Sequence, residues 1–358
     1  MRIAQVAPLY EAVPPTLYGG TERIVAHLTD ALVQLGHQVT LFASAEAQTR
    51  ATLVPVRDQA IRLDPAPLKS DLAAHLAMLH ELHRQRQEFE ILHFHLDMIH
   101  FPFFADDAAH TVTTLHGRLD LKDLPTVYER WPQYPLVSIC NDQRRPLPQA
   151  NWRATIPHGL AAGMFEFTET PHDPYLAFLG RISPEKRPDR AIAIARRTGM
   201  RLKIAAKVDH VDRAYFHEVI EPLLRDPLIE FIGEIGDARK SEFLGNAKAL
   251  LFPIDWPEPF GLVMIEAMAC GAPVIAWRRG SVPEVVADGR SGFIVASEDE
   301  AVAAVARLDR IDRRTVRDEF ERRFTAEVMA HNYLQLYLRL CRGIQRRRLE
   351  REPLELVS

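Results

Sequence analysis

The chain has 358 residues, of which 47% are apolar and 26% charged, and a net charge of −4. That length suits two domains of roughly 150–180 residues, each with its own core, and the balance is ordinary for a soluble globular protein. An acidic excess excludes a general nucleic-acid binder, which needs cations to neutralise phosphates.

Cys140, Cys270 and Cys341 are too few and too scattered for a disulfide framework or a zinc site, so a reducing cytoplasm is expected. Residues 1–8 are too short an apolar run for a secretory signal, and no window has the ~18 apolar residues of a membrane span. Residues 3–7 read as a first strand, followed by a loop over 8–20 rich in proline, tyrosine and glycine. A helix follows with Ile24, Leu28, Ala31, Leu32 and Leu35 at helical spacing and Gly36 as its stop. Strands are expected at 39–43, 91–95, 112–115, 136–140 and 154–156. A helix is expected over 68–87, with Leu72, Leu76, Leu79 and Leu82 on one face.

Residues 161–174, interrupted by Gly163, Pro171, Asp173 and Pro174, read as a linker between two halves. The second half repeats the alternation, with strands at 175–179, 202–206, 229–232, 249–252, 274–276 and 293–295. Helices lie between them at about 188–198, 213–224, 238–246 and 261–269. A long helix is expected over 325–348, with Met329, Tyr333, Leu336 and Leu340 along one side. Arg339, Arg342, Arg346, Arg347, Arg348 and Arg351 make its end basic, which suits either a solvated tail or a weak peripheral contact with anionic lipid. Sequential β-α units of this kind give an α/β protein of two Rossmann-like sheets, with ligands at the carboxyl ends of the strands.

The chemistry concentrates between Phe252 and Gly271. A strand ends there, a loop punctuated by Pro253, Pro257 and Pro259 follows, and a helix resumes from about Gly261. Amides at a helix N-terminus suit an anion, and Glu258 and Glu266 are placed to accept hydrogen bonds from hydroxyl groups. A sugar nucleotide carries both kinds of group. Upstream, Arg181 and Lys186 follow directly on a strand, and a guanidinium and an ammonium at that spacing can both reach a pyrophosphate. Asp106 and Asp107 are adjacent rather than an Asp-x-Asp pair, so fixed cations are expected in place of a metal. Gly19 and Gly20 lead into a helix and allow close approach of the backbone to a phosphate. His116 follows a strand, where an imidazole can donate to a sugar hydroxyl or adjust a proton. His93, His95 and His100, around Phe94 and Asp97, suggest a metal site. A strand end with His95 near an acceptor is the better reading, since carboxylate support is thin.

The string from Glu258 to Val274, E-P-F-G-L-x-x-x-E-A-M-A-C-G-x-P-V, resembles the E-x7-E motif of retaining glycosyltransferases of family 4, which have the GT-B fold. The resemblance implies two Rossmann-like domains facing each other across a cleft: an acceptor-side domain over 1–165 and a nucleotide-sugar domain over 166–339. A terminal helix, about 340–358, would pack back on the first. It implies a nucleotide-diphospho-sugar donor, UDP-glucose or similar, a metal-independent reaction and an unidentified acceptor. Gly180 to Lys186 is similar to the family's G-R-x-x-x-x-K, whose Arg and Lys, here Arg181 and Lys186, bind the diphosphate.

By the same resemblance Glu266 binds the ribose hydroxyls, and Glu258 lies near the donor sugar, supporting positive charge at the anomeric carbon. The amides around Phe260, Gly261, Leu262 and Val263 contact sugar and phosphate. Gly19 and Gly20, in the segment Tyr18 to Glu22, match the loop that closes over the diphosphate, and His116 matches the histidine beside the donor sugar. Asn141 and His158 also fall at strand ends; His158 replaces the Asn of the family's Asn-Gly. Ser281, Val282, Pro283 and Glu284 are similar to the G-G-x-x-E segment, with Arg279 in place of its first glycine, and read as support near the nucleotide.

A sugar-nucleotide 2-epimerase shares this fold and donor but is not expected to carry the Glu258–Glu266 string. A sugar-binding receptor would need an export signal. A dinucleotide dehydrogenase is disfavoured because neither half shows G-x-G-x-x-G after its first strand. The acceptor lies in loops with no transferable code, and lipid-linked glycans, polysaccharide ends, sugar phosphates and small aromatic metabolites all fit.

Overall fold

The computed structural model describes residues 1–16 and 19–351, the side chains of 345–351 excepted. Tyr18 and the side chains of Arg346, Arg347, Arg348 and Arg351 therefore lie outside the described residues, as do residues 352–358. The chain forms two compact units. Unit 1 takes Met1–Ile139, Arg144–Gly159 and the chain from Ala326; unit 2 takes Cys140–Gln143 and Leu160–Thr325.

Unit 1 is built on seven strands: β1 (Arg2–Val6), β2 (Gln38–Ser44), β3 (Thr52–Arg57), β4 (Ile91–Phe94), β5 (Thr111–Thr114), β6 (Leu136–Ser138) and β7 (Trp152–Thr155). They lie in the order β3-β2-β1-β4-β5-β6-β7, every pair parallel. The order reverses between β1 and β4, which is where a sheet of this kind opens a crevice for a ligand. Alternating residues of one strand feed the two faces: Phe42 joins one core cluster with Phe94, Phe101, Phe104 and Tyr134, while Leu41 and Ala43 join another with Val25 and Ala26.

Between these strands the chain forms α1 (Gly20–Gln34), α2 (Asp71–Gln85) and α3 (Leu124–Arg130). The Ser70 hydroxyl caps α2 by accepting from the Ala73 amide at 3.2 Å. The buried stripe of α2 is His75, Met78, Leu79 and Leu82, whereas Leu72 and Leu76 are exposed. The sequence reading followed leucines alone, but His75 fills the inward place because both ring nitrogens are used. Nδ1 donates to the Asp71 carbonyl at 2.7 Å, and Nε2 accepts from the Leu9 amide at 3.2 Å. Strand β3 escaped the sequence reading because Pro55 and partial exposure mark it only as an edge.

Unit 2 has β8 (Tyr175–Arg181), β9 (Leu202–Lys207), β10 (Ile229–Gly233), β11 (Ala247–Phe252), β12 (Val274–Trp277) and β13 (Gly292–Val295), ordered β10-β9-β8-β11-β12-β13 and all parallel. Its switch point lies between β8 and β11. Helix α4 (Pro188–Thr198) starts on a proline and stops at Gly199, whose φ of 65° suits glycine.

The helix expected over 213–224 is broken into α5 (Arg213–Tyr215), a π turn (Phe216–Ile220) and a 3-10 turn (Glu221–Arg225). Pro222 accounts for the break, having no N–H and a ring that collides with the preceding turn. Then come α6 (Asp237–Gly245), α7 (Leu262–Ala269), α8 (Val282–Val285), α9 (Glu298–Val305) and α10 (Arg313–Arg323). The last three were not anticipated, although Ser297 and Asp312 cap α9 and α10 through the amides of Glu300 and Thr315 at 3.2 and 2.8 Å.

The segment read as a linker is packed against unit 2. The Thr168 amide donates to the Cys270 carbonyl at 3.1 Å, and Arg313 Nε returns a bond to the Thr168 carbonyl at 2.7 Å. Arg317, on α10, donates to the carbonyls of Phe165 at 3.1 Å and Ala162 at 2.9 Å, and also to that of Ala269. Proline and glycine break the periodicity here, yet the freed carbonyls are collected by two arginines.

At Ala326 the chain returns to unit 1 as α11 (Ala326–Arg351). Met329, Tyr333, Leu336 and Tyr337 are buried, and Leu340 only partly so. Among the described residues no helix is long and apolar enough to cross a membrane.

Replacing Arg317 by Met strands two buried carbonyls and a partly buried third, and the expected loss of unfolding free energy is on the order of 3 kcal/mol. Chemical denaturation checks this, and a loss under about 0.5 kcal/mol contradicts it.

Candidate active site

In unit 2 the loops that follow β8 and β11 leave neighbouring strands at the same end of the sheet. They are tied together by the Asp255 amide, which donates to the Glu185 carbonyl at 2.8 Å. They are tied again by the Lys186 ammonium in direct contact with the Glu258 carboxylate. Trp256 serves both partners. Its Nε1–H donates to Glu258 Oε2 at 3.0 Å, and its ring lies 4.9 Å below Lys186 Nζ, with Phe252 at 5.6 Å. The cation is thereby fixed by a carboxylate and two aromatic faces.

Arg181 closes β8 and has other partners. Its guanidinium sits among Glu185 at 3.3 Å, Asp209 at 3.4 Å and Asp212 at 4.0 Å. The two cations placed together by the sequence reading thus flank the loop on different partners.

Gly261 precedes α7 with φ 76°, and a Cβ there would lie 2.9 Å from Met264 Cε and 3.0 Å from Phe252 Cζ. The following amides, Leu262 and Val263, begin the helix and have no intrahelical acceptor. The loop before them is held from behind. Ser281 donates from N–H to the Glu258 carbonyl at 2.9 Å and from Oγ to the Phe260 carbonyl at 2.8 Å. Gly280, at φ 51°, comes so near that a Cβ would fall 2.3 Å from the Glu258 carbonyl oxygen. Support by Ser281 is thus direct. Glu284 instead accepts from the Asn141 amide at 2.8 Å, its Nδ2 at 2.7 Å and the Asp142 amide at 2.9 Å, which fastens Cys140–Gln143 to unit 2.

Glu266 is 2% exposed on α7. Its Oε1 takes the Lys240 ammonium at 2.8 Å, and among the described residues its buried Oε2 has no hydrogen-bond partner.

In unit 1 Gly19 caps α1 and Gly20 is its first residue. A Cβ at Gly19 would fall 2.7 Å from Pro15 Cβ, so the turn admits only glycine. His116 follows β5 and joins a chain of imidazoles. His116 Nε2 is 2.8 Å from His95 Nδ1, His95 Nε2 is 2.9 Å from Gln5 Oε1, and His116 Nδ1 is 3.4 Å from His158 Nε2. The Gln5 carbonyl can only accept, so His95 Nε2 carries hydrogen, its Nδ1 accepts, and His116 donates through Nε2.

His93 continues the network, with Nδ1 2.7 Å from the Tyr337 hydroxyl and Nε2 2.7 Å from Thr114 Oγ1, which lies 2.8 Å from the Tyr333 hydroxyl. Burial pushes His93, His95, His100 and His158 well below the ordinary histidine range and His116 down to about 3. These rings are neutral at pH 7. Among the described residues no group of three His, Cys, Asp or Glu side chains is arranged for a metal ion.

Comparison with known proteins gives this geometry a family. The sequence model described as Glycosyltransferase Family 4 matches residues 18–210, and that described as Glycosyl transferases group 1 matches residues 164–324. The chain belongs to glycosyltransferase family 4. A D-inositol 3-phosphate glycosyltransferase of Catenulispora acidiphila is 36% identical over 143 residues, 37% of this chain and 33% of that protein. The match thus spans about a third of that relative. A glycogen synthase of Mycobacterium tuberculosis is 27% identical over 418 residues, covering 99% of this chain and 97% of that one.

Among solved structures, a glycosyltransferase involved in avilamycin A biosynthesis has a TM-score of 0.71 at 24% identity, covering 96% of this chain and 98% of that one. Anabaena HepE in complex with UDP and glucose has a TM-score of 0.71 at 16% identity, covering 94% and 98%. These structural likenesses show the GT-B fold.

Sequence reasoning missed Lys240, Trp256, Gly280 and Gln5. Trp256 lies inside the string that was read, two residues before Glu258, but nothing in a lone tryptophan shows that it serves both members of an ion pair. Lys240 and Gln5 carry no local signal, because their partners are distant in the chain.

The histidine network makes the fold acid-sensitive. In the unfolded chain these side chains take up protons near 6.5; in the fold they do not. Their stabilisation is complete above about pH 6.5 and is lost progressively as pH falls below it. Glu22, raised to about 7 by burial, and Asp97, raised to about 6 by burial, oppose this, two groups against five. Hydrogen exchange of the β4 and β5 amides, corrected for intrinsic rate, is expected to show lower protection at pH 5.5 than at pH 7.5. Equal or higher protection contradicts it.

Proposed function

We propose that the enzyme transfers a hexosyl group, with retention, from a nucleotide-diphospho-sugar to an acceptor hydroxyl, without a metal and in the cytoplasm. UDP-glucose or a similar UDP-sugar is the donor of choice; HepE, a structural relative, has been captured with UDP and glucose. One observation carries the reading. At the switch point of unit 2 a fixed ammonium, a helix N-terminus and a buried carboxylate with a bare oxygen lie on adjoining segments. A phosphate seeks the first two and a ribose hydroxyl the third.

The chemistry follows from charge. The bond between the anomeric carbon and the β-phosphate oxygen breaks, and negative charge grows on the leaving diphosphate. Lys186 and the amides of Leu262 and Val263 stabilise that charge as it develops. Arg181 adds a second cation by turning from its three carboxylates. The acceptor oxygen bonds to the anomeric carbon on the face the diphosphate leaves, and its proton passes to the departing phosphate oxygen. Glu258 supports positive charge at that carbon, the Phe260 and Gly261 backbone lines the sugar, and Glu266 holds the ribose. Gly19, Gly20 and His116 keep the roles that the family resemblance gives them, with His116 acting as a neutral imidazole.

Lys186→Ala is expected to lower kcat on the order of a hundredfold, measured as release of UDP from UDP-glucose by water or acceptor, with circular dichroism unchanged. Wild-type turnover would sink the assignment. Activity is further expected to persist in EDTA; complete loss restored by magnesium overturns the use of fixed cations.

A further inference from the structure

We propose that Lys240 is a positioning residue for nucleotide recognition, holding one oxygen of Glu266 so that the other is presented to a ribose hydroxyl. This rests on the nucleotide site proposed above and names a residue that acts on it from the neighbouring helix.

Lys240 stands on α6, with its side chain 13% exposed, and Glu266 on α7, with its side chain 3% exposed. The ammonium lies 2.8 Å from Glu266 Oε1 and 3.3 Å from Asp237 Oδ1. It donates a hydrogen bond to Glu266 Oε1, while Asp237 lies close enough only for an ion pair. A carboxylate has about four acceptor positions, and here Oε1 is engaged while the buried Oε2 has no partner among the described residues. Bare buried oxygens are rare in native proteins, since each carries a desolvation cost that a ligand can relieve.

The terminal torsion of glutamate is broad and two-fold, so nothing intrinsic to Glu266 decides which oxygen is left without a partner. The ammonium decides it. A mere staple between α6 and α7 would affect stability but not the distinction between a ribose and a deoxyribose.

That distinction is the test. Isothermal titration calorimetry with UDP, ADP and GDP first shows which diphosphate the wild type prefers. The same base is then offered as its 2′-deoxy and 3′-deoxy diphosphates. The wild type is expected to lose about tenfold in affinity for at least one deoxy form. In Lys240→Met the ribose form binds more weakly, and the loss for the same deoxy form shrinks to about twofold or less. A Lys240→Met ratio equal to wild type overturns the positioning role while leaving the nucleotide site intact. A wild type that binds none of the three, or ignores both deletions, overturns the site itself. Thermal unfolding verifies each variant. Should Lys240→Met not fold, Lys240→Gln carries the same comparison, and failure of both to fold makes the pair structural and refutes the proposal.

Discussion

The contact between Lys186 and Glu258 joins two loops that leave neighbouring strands, and the candidate site depends on it. Both side chains are mostly removed from water, at 17% and 11% exposure, so neither charge is tolerable without the other. Trp256 reinforces the arrangement by donating to the carboxylate and underlying the cation. An ammonium has three donors, so Lys186 can keep Glu258 and still offer hydrogen to a phosphate. The pair also fixes the loop that delivers the chain into α7, and behind that loop Gly280 and Ser281 grip the backbone. A cation, a helix N-terminus and a carboxylate are thereby preorganised before any ligand arrives, which is what stabilising a departing anion requires.

Unit 1 solves a different problem. Its switch point is lined by imidazoles instead of fixed charges, and burial keeps them neutral. Such a cluster is stable only if its donors and acceptors alternate, and Gln5 supplies the asymmetry that orders them. The hydroxyls of Tyr333 and Tyr337, carried on α11, complete the network from the chain's last described helix. Residues from the first strand and the last helix of the same unit thus meet around His93, so the end of the chain helps to define its beginning.

Much of this was legible in the sequence because two periodicities, alternation in strands and helical spacing, are local. The buried strands of both sheets lie within a few residues of where their apolar runs place them. The edge strand β3 was not legible, since Pro55 and half-exposure erase the signal. The face of α2 was misread because hydrophobicity alone ignores a histidine whose two nitrogens are both satisfied. The packing of the segment read as a linker was not legible for a related reason: Arg313 and Arg317 gather its carbonyls from far along the chain. In the site, the motif from Glu258 to Val274 named the carboxylates and the helix start. Lys240 could not be found that way, because its ion pair joins two helices across 26 positions.

The central claim is that a nucleoside diphosphate is gripped in unit 2 at the ends of β8 and β11. A crystal structure of the complex with UDP tests it most directly. The account predicts a phosphate oxygen within hydrogen-bond distance of Lys186 Nζ and of the Leu262 or Val263 amide, with a ribose hydroxyl on Glu266 Oε2. A diphosphate bound elsewhere, with Lys186 and Glu266 untouched, would contradict it.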